Sequence, residues 1–172
     1  MSSGKSVLVI IAHNNFRDEE YTSIREKLQQ AGIAITVAST TTNEALGSQG
    51  SQVKPDILID AVNPDDFDGV IFIGGTGSSQ YWHDTKAHEI ALSLNENNKL
   101  VAASSHSPVT LAVTGILKDK KATAHISVYE KLSIQGAKYT GKKLEVDGNI
   151  ITSAGVSAAK EFSDAIVKAI AD

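Results

Sequence analysis

The sequence predicts an α/β three-layer sandwich built on a mostly parallel sheet, and three observations predict it. Short apolar runs alternate with segments of helical period, as in 6–12 followed by 18–31. Runs that are apolar at every position suit strands buried on both faces, as in parallel sheets covered by helices. Several runs end in small residues where a helix is about to begin, at Gly74-Gly75-Thr76-Gly77 and at Ser104-Ser105-His106-Ser107. A length of 172 residues, 41% hydrophobic and 21% charged, suits one globular domain over 1–172 with room for a three-layer core.

The elements follow in order. Residues 6–12 read as a first, fully buried strand. Residues 18–31 read as an amphipathic helix: Tyr21, Ile24, Leu28 and Ala31 recur at helical spacing, and Gly32 stops it. A second strand is expected over 33–38. The stretch 39–50 is rich in Thr, Ser and Gly and is expected to be an exposed loop. Residues 53–59 read as a short strand in a side hairpin, and 70–73 as a central strand that runs into the paired glycines. A helix is expected over 83–97, a strand over 100–104 and a helix over 108–114. Later strands are expected over 122–125, 143–146 and 150–153. The helix over 157–170 puts Phe162, Ile166 and Ile170 on one face, with Ser157 as its N-cap. The sum is a flavodoxin-like sandwich, and sites in such folds lie at the carboxyl ends of the strands. Ser105 and Gly74-Gly75 both fall there.

Composition removes several classes of function. A net charge of −4 gives no electrostatic footprint for nucleic acid or an anionic membrane. No apolar run reaches transmembrane length, and residues 1–5 lead into a strand without a secretory core, so a cytoplasmic location is expected. The chain has no cysteine, which excludes disulfides, thiolate metal sites and cysteine catalysis. His83, His88 and Glu89 lack metal-ligand spacing, because a five-residue step does not put two histidines on one helix face. The glycines at 74–77 lack the Gly-Lys-Ser/Thr of a phosphate loop. Ser157-Ala158-Ala159-Lys160 fits S-x-x-K only as a short pattern at a helix start. No metal and no cofactor is expected.

The informative segment is Val101-Ala102-Ala103-Ser104-Ser105-His106-Ser107-Pro108. A buried strand, a sharp turn and a helix directly behind it make the layout of a nucleophile elbow. With it stand Phe16-Arg17-Asp18-Glu19-Glu20, Asp68 through Gly75, Gly115-Ile116-Leu117-Lys118, Lys121 through His125, and Thr152-Ser153 before Glu161-Phe162. In order and spacing the chain resembles the ThiJ/PfpI family over nearly its full length. That resemblance implies a class I glutamine amidotransferase-like sandwich, a homodimer or higher homo-oligomer, and a small-molecule or peptide ligand. It implies that Ser105 stands where the family has a reactive cysteine and that Glu20 approaches it. Gly74 and Gly75 would line the oxyanion site, and Ser107 would stand in place of a small glycine at the pocket. Ile73 and Ala154 depart from the family's proline and arginine.

A helix N-terminus can turn a thiol into thiolate, but it will not ionise a serine hydroxyl. Ser105 would need a general base within hydrogen-bond reach. The candidates are His106, His125 and Glu20; His106 adjoins Ser105, so the two side chains are expected to diverge. Two functions follow. One is a non-catalytic, stress-related member that keeps a pocket for a small carbonyl or carboxylate compound. The other is a serine hydrolase or amidase, with backbone N–H groups near Gly75 and His106 holding the oxyanion. Trp82 is expected at a subunit contact.

Overall fold

A computed structural model describes residues 3–172. Seven strands form the central sheet, in the order Leu144–Asp147, Ile150–Ser153, Leu100–Ser104, Gly69–Phe72, Ser6–Ile10, Ala34–Ser39 and Ile57–Leu58. All neighbours pair in parallel except the first two, which are antiparallel. Among the described residues five helices flank the sheet: α1 (Asp18–Gln30), α2 (Thr85–Glu96), α3 (Pro108–Thr114), α4 (Tyr129–Ile134) and α5 (Ala159–Ala171).

Alternation along the first strand feeds two cores. Leu8 and Ile10 pack with Phe72, Ile90, Leu111 and Leu132 beneath α2, α3 and α4. Val7 and Val9 pack with Ile24, Leu28, Phe162 and Ile166 beneath α1 and α5. These side chains are all at most 1% exposed, so each large one contributes about 1.5–3 kcal/mol of burial. Local signals set the helix ends. Asp84 caps α2 by accepting from the Ala87 N–H at 2.8 Å. Pro108 opens α3, and Gly115 closes it at φ +91°.

Four expectations need correction. The stretch 39–50 is not all exposed loop: Ala45–Gly47 is a strand with Ala45 and Gly47 buried, paired with Asn14–Phe16 and Gln52–Val53. Residues 53–59 are split, because Val53 belongs to that side sheet whereas Ile57–Leu58 is the edge of the main one. Only Lys121–Ala122 of 122–125 and its flank is strand; His125 instead caps a short 3-10 turn by accepting from the Ser127 N–H. Ser157 is not an N-cap, since it lies inside the 3-10 turn Val156–Ala158 that precedes α5. Helix α4 and the short strands Asn14–Phe16 and Lys138–Tyr139 are additions; at two to six residues they are too short for periodicity to show.

The chain leaves Ser6–Ile10 for Ala34–Ser39 on one side and returns to Gly69–Phe72 on the other. That reversal opens a crevice beyond the carboxyl ends of the strands. No helix among the described residues is long and apolar enough to cross a membrane.

Candidate functional site

Leu100–Ser104 ends in the crevice, and Ser105 turns the chain sharply with φ +49°. A serine in the left-handed region costs about 1 kcal/mol or more, and the surroundings hold it there. The Ser105 N–H donates to the Ser153 carbonyl at 3.0 Å. The Ser107 hydroxyl accepts from the Ser104 N–H at 2.9 Å and lies 2.7 Å from the Phe72 carbonyl. The Gly74 N–H donates to Ser104 Oγ at 3.0 Å. Gly74 has no spare space: a Cβ there would overlap Ser105 Oγ and the Ser104 carbonyl. Small residues at 74 and 104–107 are therefore a packing requirement of the turn.

The Ser105 hydroxyl has two partners. It accepts from the Gly75 N–H at 3.0 Å and donates to Glu20 Oε2 at 3.3 Å. Glu20, in the first turn of α1, is 2% exposed, and its Oε1 has no partner among the described residues. Burial pushes its carboxyl up to about 7, against the pull of the Ser104 and Ser105 hydroxyls and the Arg17 charge. Near neutral pH, Glu20 therefore populates both protonation states.

The imidazoles of His106 and His125 stack on each other, with centroids 4.8 Å apart and planes at 15°. Neither hydrogen-bonds to Ser105. His106 Nε2 lies 3.3 Å from Ser127 Oγ, which lies 2.7 Å from His125 Nδ1. Burial, and then the proximity of His125, hold His106 below the usual histidine range. The main chain fixes the pair in place: the His125 N–H donates to the Ser105 carbonyl at 2.8 Å, and Trp82 Nε1 donates to the His106 carbonyl at 3.0 Å. Trp82 is thus engaged within its own chain, with Lys131 Nζ 5.3 Å from its ring centroid.

Glu20, Gly75, Ser105, His106 and His125 line one cavity of about 320 Å³. Gly74 and Ser107, expected at the pocket, do not line it; their polar groups are spent inside the turn. The Gly75 N–H, expected as an oxyanion donor, is taken by Ser105. The His106 N–H makes no hydrogen bond among the described residues and is the better placed donor. Sequence reasoning missed Arg17, Ser48 and the Gly155–Ser157 turn in the lining. The strand-end rule applied to Ser153 could have found that turn, whereas nothing local marks Ser48. No three His, Asp or Glu side chains gather as a metal site among the described residues.

The family model described as the DJ-1/PfpI family matches residues 5–169. The chain is 39% identical over 167 residues to an uncharacterised protein of Methanocaldococcus jannaschii, covering 95% of this chain and 82% of that one. It is 31% identical over 146 residues to a Pyrococcus furiosus protein named deglycase PfpI, covering 85% and 88%. The solved ThiJ/PfpI domain protein from Brachyspira murdochii superposes with a TM-score of 0.93 at 30% identity, covering 96% and 97%.

Proposed function

The chain belongs to the DJ-1/PfpI family, and within it we propose that this protein binds a small carbonyl or carboxylate compound at Ser105 without attacking it. One observation carries this reading. Among the described residues the one side chain that accepts from the Ser105 hydroxyl is Glu20, and neither imidazole hydrogen-bonds to it, both meeting Ser127 instead. Burial brings the Glu20 carboxyl into the range of a general base, but its contact with Ser105 is long, at 3.3 Å, and its Oε1 has no partner among the described residues to orient it as the third member of a triad would. The chain has no cysteine, so thiolate chemistry is closed to it. In this reading Ser105 stands in the family's nucleophile position and serves as a hydrogen-bonding wall of the pocket. The free His106 N–H is the donor for a ligand oxygen, and neutral Glu20 accommodates a ligand carboxylate that an ionised one would repel.

The strained backbone at Ser105 and that same free N–H favour a second reading, a serine-dependent hydrolase or amidase. Intact mass after incubation with a fluorophosphonate separates the two. We expect no adduct on the wild type or on Ser105→Ala. An adduct on the wild type that is absent from Ser105→Ala makes the protein a serine hydrolase. Binding is tested with pyruvate, which carries both a carbonyl and a carboxylate. The His106 amide resonance should shift saturably on titration, and an unmoved resonance overturns the binding reading.

A further inference from the structure

Ser127 is exposed, lies outside the elbow and is, among the described residues, the one side chain hydrogen-bonded to both imidazoles. Its bonds have a fixed direction. The Ser127 backbone N–H, which can only donate, points to His125 Nδ1 at 3.1 Å. That nitrogen therefore carries a bare lone pair, and neutral His125 holds its proton on Nε2. Ser127 Oγ sits 2.7 Å from the same bare nitrogen, so the hydroxyl must donate to it. Having given its proton to His125, Ser127 Oγ faces His106 Nε2, at 3.3 Å, as an acceptor. His106 Nε2 must then carry the proton. The other nitrogen of His106, Nδ1, is buried without a partner among the described residues.

From this chain of donors and acceptors we infer that Ser127 is a positioning residue that sets the tautomer of His106. It holds the proton on Nε2 and leaves buried Nδ1 as a bare acceptor. Desolvation keeps the ring neutral, since a buried lone pair without a partner costs less than a buried charge, and leaves the choice of tautomer to the bond at Nε2. The histidine beside Ser105 is thus specified by a residue twenty-one positions further along the chain, acting through one hydroxyl. The tautomer stands whether or not the pocket takes a carbonyl compound, so its test does not depend on that reading. Its consequence for the site is chemical: His106 presents an acceptor, not a donor, at its buried nitrogen. A ligand group that reaches Nδ1 must bring its own O–H or N–H.

Long-range proton–nitrogen correlation spectra of the uniformly nitrogen-15-labelled full chain at neutral pH read both imidazoles directly. His106→Gln and His125→Gln identify the two spin systems. In the wild type both rings should show protonated Nε2 and a lone-pair resonance at Nδ1. In Ser127→Ala, the His106 nitrogens should converge toward the averaged positions of exchanging tautomers. His125 should keep its pattern there, because the backbone N–H of residue 127 still caps it. Ser127→Thr should restore the wild-type His106 spectrum. A wild-type His106 with its proton on Nδ1 overturns the inference and needs no variant. So does a His106 pattern that is unchanged in Ser127→Ala.

Discussion

The two halves of the pocket are built on different principles. The carboxylate half, made of Glu20, Ser105 and the Gly74-Gly75 turn, is packed to the limit. Glu20 and Ser105 are 2% and 4% exposed, and the hydroxyl is held between a fixed N–H and a fixed carboxyl. The imidazole half, made of His106, His125 and Ser127, is open to solvent on one side and joined through a single exposed hydroxyl. In the first half burial sets the chemistry, by raising a carboxyl. In the second, hydrogen-bond direction sets it, by choosing which nitrogen holds the proton. The halves share a backbone tie through the Ser105 carbonyl and the His125 N–H, but no side-chain bond among the described residues. A serine placed on the buried side is therefore near a carboxyl and out of reach of the imidazoles.

The sharpest way to break the contrast is to add one carbon to the packed half. Gly74→Ala puts a methyl group onto Ser105 Oγ and the Ser104 carbonyl, one held in the left-handed region and the other main chain. Neither can move without opening the turn. We expect a loss of about 4 kcal/mol in urea unfolding. Gly115→Ala is the matched control: at φ +91° with nothing within 4 Å, it should cost only about 1 kcal/mol. Equal losses for the two would show that the turn yields and that the packed half is less rigid than described.

The next effect is smaller and depends on pH. An ordinary glutamate titrates at 4.5, and buried Glu20 at about 7. Between these values the folded protein holds a proton that the unfolded chain has released. Stability from protonated Glu20 is thus complete below about pH 4.5 and is lost as the pH rises through 7, by about 3 kcal/mol in all. Glu20→Gln stays neutral throughout. Its stability relative to wild type should rise with pH across that window and level off above it, followed by urea unfolding at a series of pH values. A difference that is flat with pH would mean that Glu20 is already ionised in the fold, and the carboxylate half would lose its defining property.

The same division explains what could be read from the sequence. The packed half was legible because its requirements are local and steric. Apolar runs such as Val7 to Ile10 and Val101 to Ala103 announce strands buried on both faces, and the small residues behind them announce the turns. Glu20 was reached through family resemblance; by pattern alone it reads as a solvated carboxylate of a first helical turn. Gly74 and Ser107 were misplaced because a small residue beside a pocket and one inside its wall look the same in sequence. Their hydrogen-bond partners across the turn distinguish them, Ser104 for Gly74 and Phe72 for Ser107, and those lie 30 and 35 positions away. The imidazole half was legible only as a choice between two histidines. That they stack, and that Ser127 bridges them, depends on the short 3-10 turn at Ile126–Val128, which leaves no periodic trace.

The smallest predicted effect tests whether the open half belongs to the frame at all. Ser127 is exposed, and its backbone N–H stays with His125 Nδ1 whatever the side chain is. Ser127→Ala removes one hydroxyl from water and two hydrogen bonds at the rim, and solvent can satisfy both imidazole nitrogens in its place. Its cost should stay within about 0.5 kcal/mol, or a Tm shift of ~1–2 °C for a chain of this size. A change of that size in stability, beside a full change in the His106 tautomer, would separate specification from support. A loss approaching that of Gly74→Ala would instead make the Ser127 bridge part of the packing, and the two halves would no longer be distinct.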